Sequence, residues 1–149
     1  YRLSRAKFAT HLSGKGAALK GARWNSTGVE LVYAAANRSL AMAEVAVHFT
    51  LATLPADYVM LTLFIPDDIA MQKLTTDDLP AGWNQFPHPL ATQLVGDKFV
   101  AENKYCLLQI PSVVTKGDYN FLINPHHTAF KKIKIIQKEA FPFDNRIFK

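Results

Sequence analysis

Val29–Ile65 reads VELVYAAANRSLAMAEVAVHFTLATLPADYVMLTLFI, and the partition of this stretch decides the fold. Val29 to Ala35 has the β-branched and aromatic character of a strand. Asn37 or Ser39 is placed to N-cap a helix from about Leu40 to Leu54, which Pro55 stops because proline has no amide hydrogen to continue the ladder. Tyr58 to Ile65 then returns to strand composition and is closed by Pro66. One long helix between two strands is therefore expected at the centre of the first half.

Beyond Pro66, the stretch from Asp67 to Pro89 is rich in Pro, Asp and Thr and is expected to be irregular, with Asp67 or Asp68 capping a short turn. A second helix is expected over Ala91 to Ala101. YCLLQIP (Tyr105 to Pro111), YNFLI (Tyr119 to Ile123) and KIKII (Lys132 to Ile136) follow as strands at hairpin-like spacing, before a final FPFD segment. Strands outnumber helices, which predicts an α+β fold of mixed sheets with a central helix rather than a doubly wound parallel sheet. Gly14, Gly16 and Gly21 precede no strand-to-helix junction, so neither a Rossmann fingerprint nor a P-loop is present.

With 149 residues, no repeat and no Gly/Ser linker, the chain is expected to form a single domain over 1–149. Its 49% hydrophobic and 19% charged residues place it outside the disordered class. The single cysteine, Cys106, excludes an internal disulfide and a multi-cysteine metal site. The five histidines lack ligand spacing, so no metal is expected. No apolar run has the length of a signal peptide or a membrane span, and the expected location is the cytoplasm. Tyr1 is not methionine, so a few residues and the start of a first strand are expected to precede this numbering.

The net charge of +5 allows anionic partners without choosing one. In the run Lys131, Lys132, Lys134 and Lys138, Ile133 and Ile135 alternate with lysines as a solvated strand face requires. No interleaved aromatics or nucleic-acid motif accompany it.

Glu44 is the most informative residue. At about 100° per residue it lies within about 60° of Leu40, Val47 and Leu51 on the expected helix, so a carboxylate sits in an apolar stripe. A charge there persists when it is paired, hydrogen-bonded or used. A catalytic carboxylate and a structural partner of an arginine both satisfy that condition. His48, one turn on, is a candidate hydrogen-bond partner. Arg23, in Gly21-Ala22-Arg23-Trp24-Asn25, has the planar fork that suits phosphate or carboxylate, and its plainer alternative is a surface arginine stacked on Trp24. Tyr33 shares a strand face with Val29 and Leu31, as a core tyrosine would. Ser112 ends a strand without the GxSxG context of a nucleophile, and His126 and His127 follow Asn124-Pro125 in what reads as a turn.

GARWNSTG, the VYAA strand, AEVAVH, QIPS and YNFLINPHH occur in an order and spacing that resemble the RES-domain family, named for its arginine, glutamate and serine. The resemblance spans nearly the whole chain. It implies an ADP-ribosyltransferase-like fold and the toxin of a bacterial RES/Xre toxin-antitoxin pair, which degrades NAD at the nicotinamide glycosidic bond by hydrolysis or phosphorolysis. NAD would be the substrate, with no cofactor. Some relatives instead transfer ADP-ribose to a protein, so an ADP-ribosyltransferase modifying a host protein is the alternative; a non-enzymatic binding module is a second.

By the same resemblance the family arginine corresponds to Arg23, the tyrosine to Tyr33, the glutamate to Glu44 and the serine to Ser112. Arg2 corresponds to an arginine near the phosphates, and Asn124 and His126 to the NPxH segment that shapes the pocket. The implied roles are Glu44 against the ribose cation, Arg23 and Arg2 on the pyrophosphate, Tyr33 stacked on nicotinamide and Ser112 on the ribose. The implied partner is an Xre-type helix-turn-helix antitoxin, through which alone DNA would be met; no membrane is implied.

Overall fold

A computed structural model describes residues 1–148 of the chain. Its architecture is α+β, with a three-stranded and a four-stranded sheet among the described residues. The three-stranded sheet is antiparallel and runs β1 (Arg2–Arg5), β3 (Tyr58–Phe64), β7 (Lys134–Ala140). The four-stranded sheet runs β2 (Val32–Ala35), β6 (Tyr119–Ile123), β5 (Leu107–Pro111), β4 (Met71–Lys73). Only β4, which pairs with β5 in parallel, breaks its antiparallel pattern and makes that sheet mixed.

Period-2 alternation sends side chains to two faces and explains the layering. Val32, Ala34, Leu107 and Ile123 face the three-stranded sheet and meet Leu63 and Ile65 there. From the opposite face Leu31, Leu108, Ile110 and Leu122 join Trp24 and Phe99. Phe99 belongs to helix α3 (Leu90–Glu102), which covers that face. Met60 and Leu61 in the central strand β3 are 0% and 1% exposed. Burying side chains of this size contributes about 1.5–3 kcal/mol each.

Helix α2 (Arg38–Ala46) is capped as expected by Asn37, whose side chain accepts from the Leu40 amide at 2.7 Å. It ends eight residues before the expected stop. The Thr50 amide donates to the Thr53 hydroxyl at 2.9 Å instead of continuing the helical ladder, while His48 and Phe49 bond three residues back. Local side-chain bonds of this kind compete with helix, and the β-branched Val47, Thr50 and Thr53 add to the competition. Val47 and Leu51 are 59% and 51% exposed, so the apolar stripe drawn through Glu44 shrinks to the buried Leu40 and Ala41.

The first strand, whose start was expected before Tyr1, is β1 at Arg2–Arg5, and one strand stands where none was expected, β4 inside the stretch read as irregular. The turn expected at Asp67 or Asp68 is joined by a capping box between Thr75 and Asp78. The alternation assigned to Ile133 and Ile135 holds, with Ile133 buried, Ile135 packed against Val59 and Leu61, and Lys132 and Lys134 exposed, although its frame is not one continuous strand. Thr128–Lys132 form a 3-10 turn, β7 starts at Lys134, and a register shift at Thr62/Leu63 leaves Ile136 63% exposed.

Short helix α1 (Lys15–Lys20) leads into the turn that carries Arg23, and α3 presses on that turn from behind. A Cβ on Gly96 would stand 1.7 Å from the Trp24 carbonyl oxygen, an approach that only glycine permits. We therefore expect Gly96→Ala to lower stability by about 1–3 kcal/mol, read as an earlier urea midpoint; an unchanged midpoint would show that the helix and the turn do not meet so closely.

Candidate active site

Glu44 lies in the second turn of α2, facing the hairpin formed by β5 and β6. The Ser112 hydroxyl donates to its Oε1 at 2.8 Å, and the Asn120 side-chain amide donates to the same oxygen at 2.5 Å. Among the described residues no hydrogen bond reaches Oε2. The carboxylate is thus held by one oxygen and open at the other. A second tie, from the Asn37 side chain to Asp118 at 3.3 Å, joins the start of α2 to the same hairpin. His48 lies exposed beyond the end of the helix and has no recorded bond to Glu44.

Ser112 is 5% exposed and its hydroxyl is saturated. While its proton goes to Glu44, its oxygen accepts the amides of Val114 and Thr115 at 3.1 and 3.0 Å. A hydroxyl has one proton and two lone pairs, so no capacity remains for a substrate oxygen. This geometry fits a prop for the carboxylate, in place of the direct hold on ribose that the resemblance implied.

Arg23 projects from the turn after α1. Its Nη1 donates to the carbonyls of Trp83 and Gln85 at 2.7 and 2.9 Å. Partial burial lowers its pKa, and the negative charge of Glu44 acts in the opposite direction. Glu44 and Arg23 therefore share an electrostatic environment. Trp24 does not stack on Arg23 from the surface; it is 4% exposed, in the core beside Trp83, with ring centroids 6.4 Å apart.

Arg2, on β1, donates through Nη1 to the Tyr33 carbonyl at 2.7 Å. Burial lowers its pKa too. Among the described residues neither Arg2 nor Arg23 has a carboxylate within ion-pair distance. Arg2, much the more deeply buried of the two, is a guanidinium withdrawn from water without an ion pair, and an anion would relieve that cost.

Tyr33 holds Arg2 by its carbonyl, and its hydroxyl is engaged within the protein on the side of the Arg23 turn. It donates to Asn25 Oδ1 at 2.6 Å and accepts the Trp24 amide at 3.2 Å. Asn25 is fully buried and in turn donates to the carbonyls of Ala17, Ser26 and Val29. The phenol thus locks the turn that aims Arg23. Stacking on nicotinamide would have to use the half-buried ring alone.

Asn124 and His126 are not brought to this cluster. Asn124 lies four residues along the sheet from Asn120, about 13 Å in an extended strand. It is fully buried, donating to Asn103 at 2.9 Å and accepting the His126 amide at 3.0 Å. The His126 ring is exposed, 4.0 Å from Glu30. Both shape the turn after β6. Asn25 and Asn120 are the polar residues that sequence reasoning missed, although each lies inside a motif it had singled out, GARWNSTG and YNFLI.

A RES domain family model matches residues 1–144. The chain is 34% identical to the "Prs ADP-ribosylating toxin" of Sphingobium sp. (strain YBL2), covering 95% of this chain and 89% of that protein. It is 33% identical to "Toxin Res" of Photorhabdus laumondii, covering 100% and 96%. A chain in the crystal structure of the M. tuberculosis MbcT-MbcA toxin-antitoxin complex superposes with a TM-score of 0.77 at 21% identity, covering 95% of this chain and 82% of that one. At that identity the match speaks for the fold, which agrees with the α+β expectation.

Tyr33→Phe removes one donor and one acceptor from the Arg23 turn, and we expect it to cost about 1–3 kcal/mol at neutral pH. Burial raises the phenol well above its ordinary pKa of 10.0, with the Trp24 amide acting the other way, so Tyr33 stays neutral in the fold. Its contribution is complete below that ordinary value and is lost as the pH climbs past it, because the unfolded chain ionises first. Urea titrations from pH 8 upward should show a shallower alkaline decline for Tyr33→Phe than for the wild type; identical declines would contradict the assignment.

Proposed function

The chain belongs to the RES-domain family, and on that premise we propose that it is the toxin of a toxin-antitoxin pair and acts by cleaving the nicotinamide N-glycosidic bond of NAD. The observation that carries this reading is the half-open Glu44 carboxylate, pinned at Oε1 and free at Oε2, whose charge acts on the Arg23 guanidinium, which among the described residues has no carboxylate within ion-pair distance.

Cleavage breaks the bond between ribose C1′ and the pyridinium nitrogen. Both bonding electrons go to that nitrogen, so nicotinamide departs neutral and needs no general acid. Positive charge develops on the ribose as an oxocarbenium-like centre. A fixed carboxylate oxygen facing that charge stabilises the transition state more than the ground state, the condition for accelerating the chemical step. The acceptor then bonds to C1′. Water gives ADP-ribose and releases a proton, and inorganic phosphate gives the corresponding 1-phosphate ester.

The remaining residues divide between binding and support. Arg23 and Arg2 would hold the pyrophosphate, whose charge matches two guanidinium groups lacking carboxylate partners. Because Arg23 Nη1 is engaged by the Trp83 and Gln85 carbonyls, its other nitrogens are the ones available to phosphate. The antitoxin would be an Xre-type helix-turn-helix protein that blocks this site and contacts DNA itself.

A second reading draws support from the name of the Sphingobium relative, an ADP-ribosylating toxin: the same ribose centre would be captured by a side chain of a target protein. Antitoxin-free protein incubated with NAD, with and without phosphate and with a cell extract, separates the acceptors by product identification. We expect nicotinamide release, reduced about 100-fold or more in Glu44→Gln, in line with the loss of a preorganised electrostatic group. Arg23→Ala should act mainly on the KM for NAD, raising it about 10-fold. Full NAD consumption by Glu44→Gln would overturn the mechanism.

A further inference from the structure

We infer that Asn120 is a positioning residue of the active site, which with Ser112 fixes the Glu44 carboxylate so that Oε2 alone is presented to the ribose. The inference rests on the functional reading above.

Asparagine is depleted inside strands, and Asn120 is the second residue of the five-residue β6. Its cross-strand neighbours are Ala35 on β2 and Ile110 on β5, neither of which offers its side chain a hydrogen-bond partner. Among the described residues its one side-chain hydrogen bond is the donation to Glu44 Oε1. The small Ala35 leaves room for the amide to reach towards α2. A residue retained in a strand only for packing would be apolar here, as Leu122 is two places further along the same face.

Two donors on one oxygen do what one cannot. With Ser112 alone, the carboxylate plane can swing about its last side-chain bond while keeping that one hydrogen bond. A second donor from a different strand removes that freedom, because both approaches are satisfied only in one orientation. The oxygen bound by both donors is then occupied, and the other keeps its lone pairs for the developing ribose cation. The Ser112 arm is itself rigid, tethered by the amides of Val114 and Thr115. Asn120 thus acts through Glu44, lowering the reorganisation needed as charge develops.

The test compares Asn120→Ala and Asn120→Ser with the wild type in steady-state NAD consumption, thermal unfolding and crystal structures. The expected result is a kcat lowered about 10- to 100-fold with KM within about 3-fold and an unfolding temperature near that of the wild type. Asn120→Ser should recover part of the loss, because its hydroxyl retains a donor. The variant crystals should show the Glu44 carboxylate rotated. A kcat within 2-fold of wild type, or a loss carried wholly by KM, would overturn the inference. If the wild type consumes no NAD, the functional reading fails by itself; the crystals then decide, since an unmoved Glu44 carboxylate in Asn120→Ala refutes the positioning role and a rotated one supports it.

Discussion

The contact between the Glu44 carboxylate and the β5–β6 hairpin is the constraint on which the site depends. It joins a nine-residue helix to side chains that follow it in the chain by 68 and 76 positions. Two bonds to one carboxylate, from the start of β6 and from the residue after β5, tie helix and hairpin in one relative position. The same contact fixes which carboxylate oxygen is free. Here the structural and catalytic readings of Glu44 are two consequences of one geometry, since the bonds that anchor the helix also set the direction of the charge.

The arginine side is built on the opposite principle. Arg2 and Arg23 are oriented by backbone carbonyls rather than by carboxylates. Carbonyls aim a guanidinium without neutralising it, which leaves positive charge for a ligand. The turn bearing Arg23 is stiffened from below by Tyr33 and Asn25, and from behind by the close passage of Gly96. Its rigidity lies in buried polar bonds and one steric contact.

Much of this was legible in the sequence. The α+β class followed from strands outnumbering helices and from their hairpin-like spacing in the second half, and YNFLI coincides with β6 residue for residue because both of its ends are marked by polar or turn residues. Glu44 was legible as a charge out of place on a helix. The end of that helix was not, because the Thr50–Thr53 bond that terminates it is one local option among several. Nor was β4, a short strand whose existence depends on a partner far along the chain. The partners of Glu44 lie beyond the reach of any local pattern, which is why His48 was weighed and Asn120 was passed over. The assignment of Asn124 and His126 to the pocket came from motif correspondence, and a motif does not reveal which end of a strand faces the site.

The account stands on a sugar cation meeting Glu44 Oε2 while the diphosphate rests on the two arginines. A crystal structure of Glu44→Gln soaked with NAD addresses this directly, because the substitution keeps the shape of the side chain while slowing turnover. The account predicts nicotinamide ribose within hydrogen-bond distance of the side chain at position 44, and phosphate oxygens on Arg2 and Arg23. NAD bound elsewhere, or bound here with its ribose turned away from that side chain, would contradict it.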